Sequence, residues 1–269
     1  MKQAGCEVSL FFYFCTKQKE MENILTNHRS IRKYTSERIA SSLIEELIKA
    51  ATCASTTGNM QLYSIIATEE EKTKKQLAPC HFNQPMITEA PLVLTFCADY
   101  NRFCKWCEQR NATPGYDNFH SFLTATIDTL LVAQNFCIAA ESRGLGICYL
   151  GTTTYNAEQI IDILELPKFV VPITTITVGY PEIIPPKSDR LPVDAILHHE
   201  VYHDYNKADI DKYYAYKESL EENKKFVLEN KKDSLAQIFT DIRYTKKDNE
   251  AITEMLLKTL QKQGFKFSF

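Results

Sequence analysis

The chain has 269 residues, of which 44% are hydrophobic and 24% are charged, and its formal net charge is −3. This length suffices for one large domain or two small ones with a sizeable core. The charge gives no electrostatic reason to expect nucleic acid or an anionic membrane surface as a partner. We therefore expect a globular protein, with no nucleic acid and no membrane among its partners.

Residues 1–20 differ in character from the rest of the chain. Val8–Cys15 is a short apolar run preceded only by Lys2, and no small-residue cleavage site follows it. The run is weak as a signal peptide and too short to span a bilayer. We expect residues 1–20 to be an N-terminal extension outside the fold, with Met21 as the natural start.

The first half of the chain has three apolar segments that alternate with polar ones. Ser42 and Glu45 form a predicted capping box, and apolar residues follow at helical spacing. The elements predicted here are a helix over Ser42–Cys53, a strand over Tyr63–Thr68, a helix over Glu69–Leu77 and a strand over Leu92–Ala98.

Asn118–Arg143 is the most strongly patterned segment and is predicted to be one long helix. It is apolar nearly all round, which is typical of a buried helix. Asp128, Gln134 and Asn135 interrupt it, so a membrane span is not expected. Gly144 is placed to end the helix in a left-handed cap.

The second half completes a domain of four strands separated by helices, which indicates an α/β or α+β fold. Its predicted elements are a strand over Ile147–Leu150, a loop over Gly151–Thr154, a helix capped by Asn156 and running to Leu164, and a strand over Ile173–Gly179. Residues 181–269 are then an extended arm and a charged tail, with helical stretches over Lys212–Lys232 and Glu250–Gln263. We expect this tail to wrap a partner surface rather than to fold alone.

The nine cysteines are irregularly spaced, and several lie inside apolar runs. An odd number in this arrangement favours reduced thiols in a cytoplasmic protein over a disulfide framework. Cys104 and Cys107 have CxxC spacing, but no second pair follows, so a zinc site or a redox dithiol is the weaker alternative. His198, His199 and His203 are expected to be surface residues rather than metal ligands.

No nucleophile motif, metalloprotease motif or phosphate-binding loop is present, and Gly144-Leu145-Gly146 does not continue into a dinucleotide fingerprint. The chain instead offers scattered hydrogen-bond donors. The densest group is His28–Thr35, in which Arg29 and Arg32 can each donate two hydrogen bonds to a phosphate or a planar polar edge, and Ser30 adds a hydroxyl.

His28-Arg29-Ser30-Ile31-Arg32 resembles the signature of the FMN-dependent nitroreductase family, in its NADPH-type (group A) branch with flavin reductase P. Further matching pieces follow in the same order along the chain: Ser55–Gln61, Gln84 before Ala90-Pro91, Phe96–Asp99, Asp128 to Ser142, Gly144 to Gly151, Lys187 to Pro192, and Lys262-Gln263-Gly264. The resemblance covers the chain from about Asn23 to its end.

The resemblance implies a set of FMN-binding residues. Arg29, Ser30, Lys187 and Arg190 would hold the phosphate and ribityl chain, with His28 along the same side, and Arg32 would lie near flavin N1 and the C2 carbonyl. Ser55, Thr56, Thr57 and Gln61 would come from the other subunit, Gln84 would approach the pyrimidine end, and Tyr149, Leu150 and Gly151 would place backbone amides near N5 and O4.

Three departures from the family pattern accompany these matches. The arm reads Lys-x-x-Arg where the family has Lys-x-Arg, and Thr152 stands where a second glycine is usual. Lys231 and Lys232, with Phe226, stand where relatives carry arginines for the NADPH 2′-phosphate. Because lysine lacks the planar guanidinium fork, the preference between NADPH and NADH stays open.

The resemblance also implies an α+β nitroreductase fold, with a mixed or antiparallel central sheet flanked by helices and residues 21–269 as a single domain. It implies a homodimer with FMN at each interface and the C-terminal extension around the partner. The expected activity is a ping-pong, two-electron reduction of nitroaromatics, quinones or free flavin by NADPH or NADH, with Arg32 tuning the flavin. Reductive dehalogenation, flavin fragmentation and non-enzymatic FMN binding are the alternatives.

Overall fold

The computed structural model describes residues 23–267 of the chain, so the predicted extension at residues 1–20 lies outside the described part. The fold is α+β, and its four strands form one antiparallel sheet in the order β1-β2-β4-β3. The strands are β1 (Tyr63–Thr68), β2 (Leu92–Asp99), β3 (Gly146–Leu150) and β4 (Val170–Gly179). All four strands occur at the predicted places, but β4 begins at Val170 instead of the predicted Ile173.

The position of β2 and β4 at the centre of the sheet explains why their sequences are nearly continuous apolar runs. Every residue of β2 and β4 is buried, so both faces of the sheet centre are covered. The register between them shifts by one residue at Phe96 and Cys97, opposite Pro172. Proline has no N–H to donate to the ladder, which fits its place at this irregularity.

Six α-helices between Ser41 and Ile163 pack around this sheet. They are α1 (Ser41–Ala51), α2 (Glu71–Leu77), α3 (Met86–Glu89), α4 (Asn101–Glu108), α5 (Phe119–Ser142) and α6 (Ala157–Ile163). Helices α3 and α4 were not predicted from the sequence. Cys104 and Cys107 lie one turn apart on α4, so their CxxC spacing is that of neighbours on a helix face.

Helix α5 matches its predicted bounds. The Asn118 side chain accepts a hydrogen bond from the Ser121 amide at 3.0 Å at the N-terminus, and Gly144 has a left-handed φ of 77° after the last turn. Its length and composition alone would allow it to cross a membrane. Its inner face, however, packs on the sheet, where the ring centroids of Phe136 and Phe96 are 5.9 Å apart.

The outer face of α5 is not buried within the chain, although the sequence predicts a helix buried on all sides. A stripe of large apolar side chains, each between 43% and 49% exposed, follows this face: Phe119, Leu123, Ile127, Leu130 and Leu131. We call these five residues the α5 stripe.

Two predicted helix caps are wrong in detail. Helix α1 begins at Ser41 with Ala40 as its N-cap and no side-chain hydrogen bond, so Ser42 lies inside the first turn and forms no capping box. Asn156 is the N-cap of α6, but its side-chain amide donates to the Cys80 carbonyl at 2.7 Å instead of capping the helix. The Asn156 side chain therefore bonds to a distant residue, Cys80, and not to a backbone N–H of its own helix.

Contacts divide the chain into two compact units, Ser188–Glu254 and the remainder. The smaller unit contains α7 (Lys207–Ser219), α8 (Glu221–Glu229), α9 (Leu235–Ile238) and a π-helical turn over Phe239–Arg243, and α10 (Lys246–Lys262) begins in it. No residue of α7 or α8 is buried. Eight large hydrophobic side chains of this unit are more than half exposed: Val193, Ile196, Leu197, Val201, Tyr202, Tyr216, Leu228 and Tyr244.

Candidate functional site

The signature segment His28–Thr35 is fixed to the sheet by backbone hydrogen bonds. Ile31 N–H donates to the Ile147 carbonyl at 2.9 Å, and Thr35 N–H donates to the Tyr180 carbonyl at 2.9 Å. Ser30 and Ile147 form a parallel bridge. The segment therefore runs along β3 and past the end of β4, and it carries its arginines to that edge of the sheet.

Two glycines make room for this segment. Gly146 and Gly179 are partners across β3 and β4. A Cβ on Gly146 would lie 2.6 Å from the Ile31 side chain, and one on Gly179 would lie 2.8 Å from the Tyr34 ring. Real Cβ atoms do not approach other atoms so closely, so these positions require glycine for space.

Tyr34 anchors the other end of the segment. Its hydroxyl donates to the Ile31 carbonyl at 2.6 Å and lies 2.7 Å from the Thr177 hydroxyl. Burial raises the pKa of Tyr34 well above its usual value, so the hydroxyl is neutral and able to donate. The anchor fixes the backbone on both sides of Arg32.

The polar side chains of the signature segment leave donors unused. Arg29 donates through Nη1 to the Asn27 carbonyl at 2.9 Å, while its Nε is buried and has no hydrogen-bond partner in the described part of the chain. Arg32 is exposed, and its guanidinium makes no ion pair within residues 23–267. His28 Nδ1 lies 2.7 Å from the Glu141 carboxylate, which orients the ring. A buried unpaired guanidinium N–H calls for an acceptor, and an anion supplies one.

A second candidate segment, Ser55–Gln61, is held by a buried carboxylate. Asp128 on α5 is fully buried and accepts hydrogen bonds from the Thr57 amide at 2.9 Å and the Leu62 amide at 3.4 Å. Arg102 donates to the carbonyls of Gln61 and, at 3.2 Å, Tyr63. The loop is thus fixed at both ends although several of its side chains are exposed.

The third part of the site is formed by two linked loops. His81 Nδ1 lies 2.8 Å from the Thr152 hydroxyl, and the rings of Phe82 and Tyr155 are 6.3 Å apart. Gly151 is exposed, and a Cβ there would meet nothing within 4 Å, so its backbone is open to a flat ligand. The segment that carries Gln84 and the loop after β3 therefore form one unit.

The chain is similar to several known proteins. The sequence model described as "Nitroreductase family" matches residues 25–180. An FMN reductase [NAD(P)H] of Bacillus subtilis (strain 168) is 33% identical over 92% of this chain and 98% of its own length. An FMN reductase (NADPH) of the same strain is 36% identical over 68% of this chain and 74% of its own length. The crystal structure of an oxidoreductase from Bacteroides fragilis NCTC 9343 is 58% identical, with a TM-score of 0.90, over 91% of this chain and 100% of its own.

The chain belongs to the nitroreductase family. The resemblance predicted from the motifs is confirmed, and so is the α+β fold it implied.

The structure of this nitroreductase brings three of the predicted segments together. Ser30 and Ile31 pair with Ile147 of β3, whose end leads to Gly151. The loop after β3 is bonded to His81, three residues before Gln84. Leu150 has its side chain in the core, so only its backbone can face a ligand.

The other predicted residues are described within their own surroundings. Ser55, Thr57 and Gln61 are exposed, Thr56 is half-buried, and Lys187 is exposed. In the smaller unit, Arg190 Nη1 donates to the Asp189 carbonyl at 2.9 Å. Lys231 is exposed, whereas Lys232 pairs with the Asp241 carboxylate at 2.9 Å. The roles of all these residues stay predictions.

Sequence reasoning about this nitroreductase missed three residues of the site. Asp128 and Arg102 hold the Ser55–Gln61 loop, and His81 holds Thr152. Asp128 carried a signal, because a carboxylate inside an apolar helix needs partners. Arg102 and His81 had none, since their partners lie about 40 and 71 residues away.

The cysteines and histidines do not form a metal centre in the described residues, where no group of three or more suitable ligands occurs. Burial raises the pKa of Cys104 to about 11, so this thiol is protonated at neutral pH. His198 packs against Tyr202 with ring centroids 4.4 Å apart, and its Nε2 lies 3.2 Å from the Tyr205 hydroxyl.

Proposed function

We propose that this chain is an FMN-dependent NAD(P)H oxidoreductase that makes two-electron reductions of small acceptors such as nitroaromatics, quinones or free flavin. The observation that carries the proposal is Arg29 in the signature segment, whose Nε is buried and has no hydrogen-bond partner among residues 23–267. It is the kind of donor that a phosphate would pair with. The names of the two Bacillus subtilis relatives, both FMN reductases, support the same cofactor.

The residues that would hold FMN are those implied by the family resemblance. Arg29, Ser30, Lys187 and Arg190 would bind the phosphate and ribityl chain, beside His28. Ser55, Thr56, Thr57 and Gln61 of a second copy would line the ring and ribityl edges, Gln84 the pyrimidine end, and the Tyr149–Gly151 backbone the region of N5 and O4. FMN, when bound, supplies the chemistry by taking a hydride from NAD(P)H and passing two electrons to the acceptor.

The protein's own part is position and charge. Arg32 is exposed and unpaired within the described residues, so its positive charge is available to a ligand. Burial raises the pKa of Tyr149 and of Cys148, so both side chains are neutral at pH 7. The Cys148 side chain, which interacts with Arg32, therefore does not offset its charge. A fixed cation of this kind stabilises negative charge that develops during reduction.

The homodimer is part of the proposal. The α5 stripe is supported as the contact with a second copy because it is continuous, apolar and exposed within one chain. The smaller unit, in which no residue of α7 or α8 is buried, would wrap the partner. Lys231 and Lys232 would lie where the NADPH 2′-phosphate binds.

The proposal also covers other partners and the cellular compartment. The net charge of −3 does not favour nucleic acid as a partner. All seven cysteines in the described part are free thiols, which supports a reducing, cytoplasmic setting.

Steady-state kinetics test the function. Oxidation of NADPH or NADH by the FMN-loaded protein should depend on a quinone, a nitroaromatic or free FMN. Double-reciprocal plots should be parallel, because donor and acceptor would use the same site in turn. A protein that binds FMN but oxidises neither nucleotide with any of these acceptors would contradict the proposal.

A further inference from the structure

His81 is a buried histidine for which the family resemblance provides no role. It is fully buried, at the end of a 3₁₀ turn over Ala78–His81. Burial lowers its pKa to about 4, so the ring is neutral at pH 7. Its Nδ1 lies 2.8 Å from the Thr152 hydroxyl, while its Nε2 is buried and has no partner in the described residues. An unpaired buried nitrogen costs stability, so an apolar residue would serve packing better here.

The backbone around His81 is also held in an unfavourable conformation. Phe82 and Asn83, the next two residues, both have left-handed φ values, of 55° and 53°. The Gln84 amide then donates to the His81 carbonyl at 3.2 Å. Consecutive left-handed residues without glycine are strained, and such strain concentrates at functional sites. The turn that ends at Gln84 is therefore built on His81.

Thr152 is the matching half of the link. It directly follows Gly151, in the turn after β3. Because threonine is β-branched and restricted at χ1, fixing its hydroxyl fixes its own backbone and the peptide from Gly151. The Tyr155 amide closes the same loop by donating to the Thr152 carbonyl at 3.2 Å.

We infer that His81 is a positioning residue, which holds the Gly151–Thr152 backbone against the flavin ring through the Thr152 hydroxyl. The inference rests on the proposed function, since it concerns the side of the site where those amides would face FMN. The link ties the two loops that would contact the ring at its pyrimidine end and near N5. Loss of this link should change the spectrum, the reduction potential and the reduction rate of bound FMN more than it changes the affinity for FMN.

Four single variants, and a double variant that combines Thr152→Val with His81→Leu, test the link in the FMN-loaded dimer. Thr152→Val removes the hydroxyl at nearly constant size, and His81→Leu removes the ring nitrogens. His81→Asn can place an amide atom near the position of Nδ1 and should restore the bond. Thr154→Val makes the same change as Thr152→Val in the same loop, at a side chain with no hydrogen bond within residues 23–267, and serves as the control.

The readouts are the visible spectrum and reduction potential of bound FMN, its dissociation constant, and the rate of flavin reduction by NADPH. Thr152→Val and His81→Leu should shift the spectrum and the potential alike and slow reduction about tenfold, the scale of one hydrogen bond. The double variant should be no worse than either single one, because both remove the same link. His81→Asn and Thr154→Val should resemble the wild type, and FMN affinity should change less than about threefold in all of them.

A Thr152→Val protein with the wild-type spectrum, potential and rate would overturn the inference, even if His81→Leu fails to fold. Additive shifts in the double variant would do the same. A wild-type protein that binds no FMN, or whose FMN is not reduced by NADPH, would instead overturn the proposed function and this inference with it.

Discussion

Gly146 and Gly179 face each other across β3 and β4, and each leaves open the space that one side chain of the signature segment fills. Ile31 occupies the space at Gly146, and Tyr34 together with Pro91 occupies the space at Gly179. The position of both arginines therefore depends on two residues that carry no functional group.

Gly146→Ala should destabilise the protein by about 1–3 kcal/mol, the cost of forcing an extra carbon into a packed core. The Ile31 side chain, 2.6 Å from the new Cβ, would have to move and would carry Arg29 and Arg32 with it. Urea unfolding gives the free energy, and FMN titration of the folded protein should show weaker binding. Gly115→Ala is the matched control, because a Cβ there meets nothing within 4 Å. Equal stability of the two variants would contradict this reading.

Arg29→Ala and Arg32→Ala should differ in which step they impair. Arg29 would face the phosphate, whose charge is the same in every redox state, so its loss should weaken FMN binding by about 1.5–3 kcal/mol. Arg32 would face N1, where charge appears only on reduction, so its loss should slow reduction and leave FMN occupancy near normal.

Rapid-mixing measurements of flavin bleaching, beside FMN dissociation constants, separate these two effects. Arg38→Ala removes an exposed arginine just beyond the signature segment and serves as the control. If Arg32→Ala loses its FMN while the remainder is reduced at the normal rate, the two roles are assigned wrongly.

Asp128→Asn should loosen the Ser55–Gln61 loop and cost about 1–3 kcal/mol of stability. The carboxylate accepts from two backbone amides, and a carboxamide would turn an NH₂ group toward one of them. Hydrogen exchange at the Thr57 and Leu62 amides should accelerate. Glu46→Gln, in an exposed ion pair with Arg143, is the control and should cost less than about 1 kcal/mol. Unchanged exchange at both amides would rule out the role given to Asp128.

Ile127→Glu should dissociate the dimer, because it places a charge in the middle of the α5 stripe. An unpaired charge buried at an interface costs about 3–5 kcal/mol, which is more than a hundredfold in the dissociation constant. Light scattering at micromolar concentration should show a monomer for Ile127→Glu and a dimer for the wild type and for Lys72→Glu, an exposed control on α2. A dimer of unchanged affinity in Ile127→Glu would exclude the stripe as the interface.

The strands and the long helix α5 could be predicted because their signals are local. Apolar runs bounded by proline and glycine mark β2 and β3, and Asn118 and Gly144 mark the ends of α5. The cap of α6 was mispredicted because the Asn156 side chain bonds to Cys80 in a distant segment, which no local pattern reports. The cap of α1 was mispredicted because that helix begins one residue earlier, at Ser41.

The residues of the candidate site also divide into those with a local sequence signal and those without one. The signature residues were visible as a cluster of donors in the sequence. The residues that position them, such as Gly146 under Ile31 and His81 beside Thr152, act through contacts between segments far apart in the chain. Only the folded structure shows these contacts.

The visible spectrum of the purified protein, recorded before and after anaerobic addition of NADPH and then NADH, tests the central claim most directly. The protein should be yellow, with about one FMN per chain, and its flavin absorbance should bleach on addition of at least one nucleotide and return with a quinone. A colourless protein that does not bind added FMN, or bound FMN that neither nucleotide bleaches, would contradict the assignment of this chain as an FMN-dependent NAD(P)H oxidoreductase.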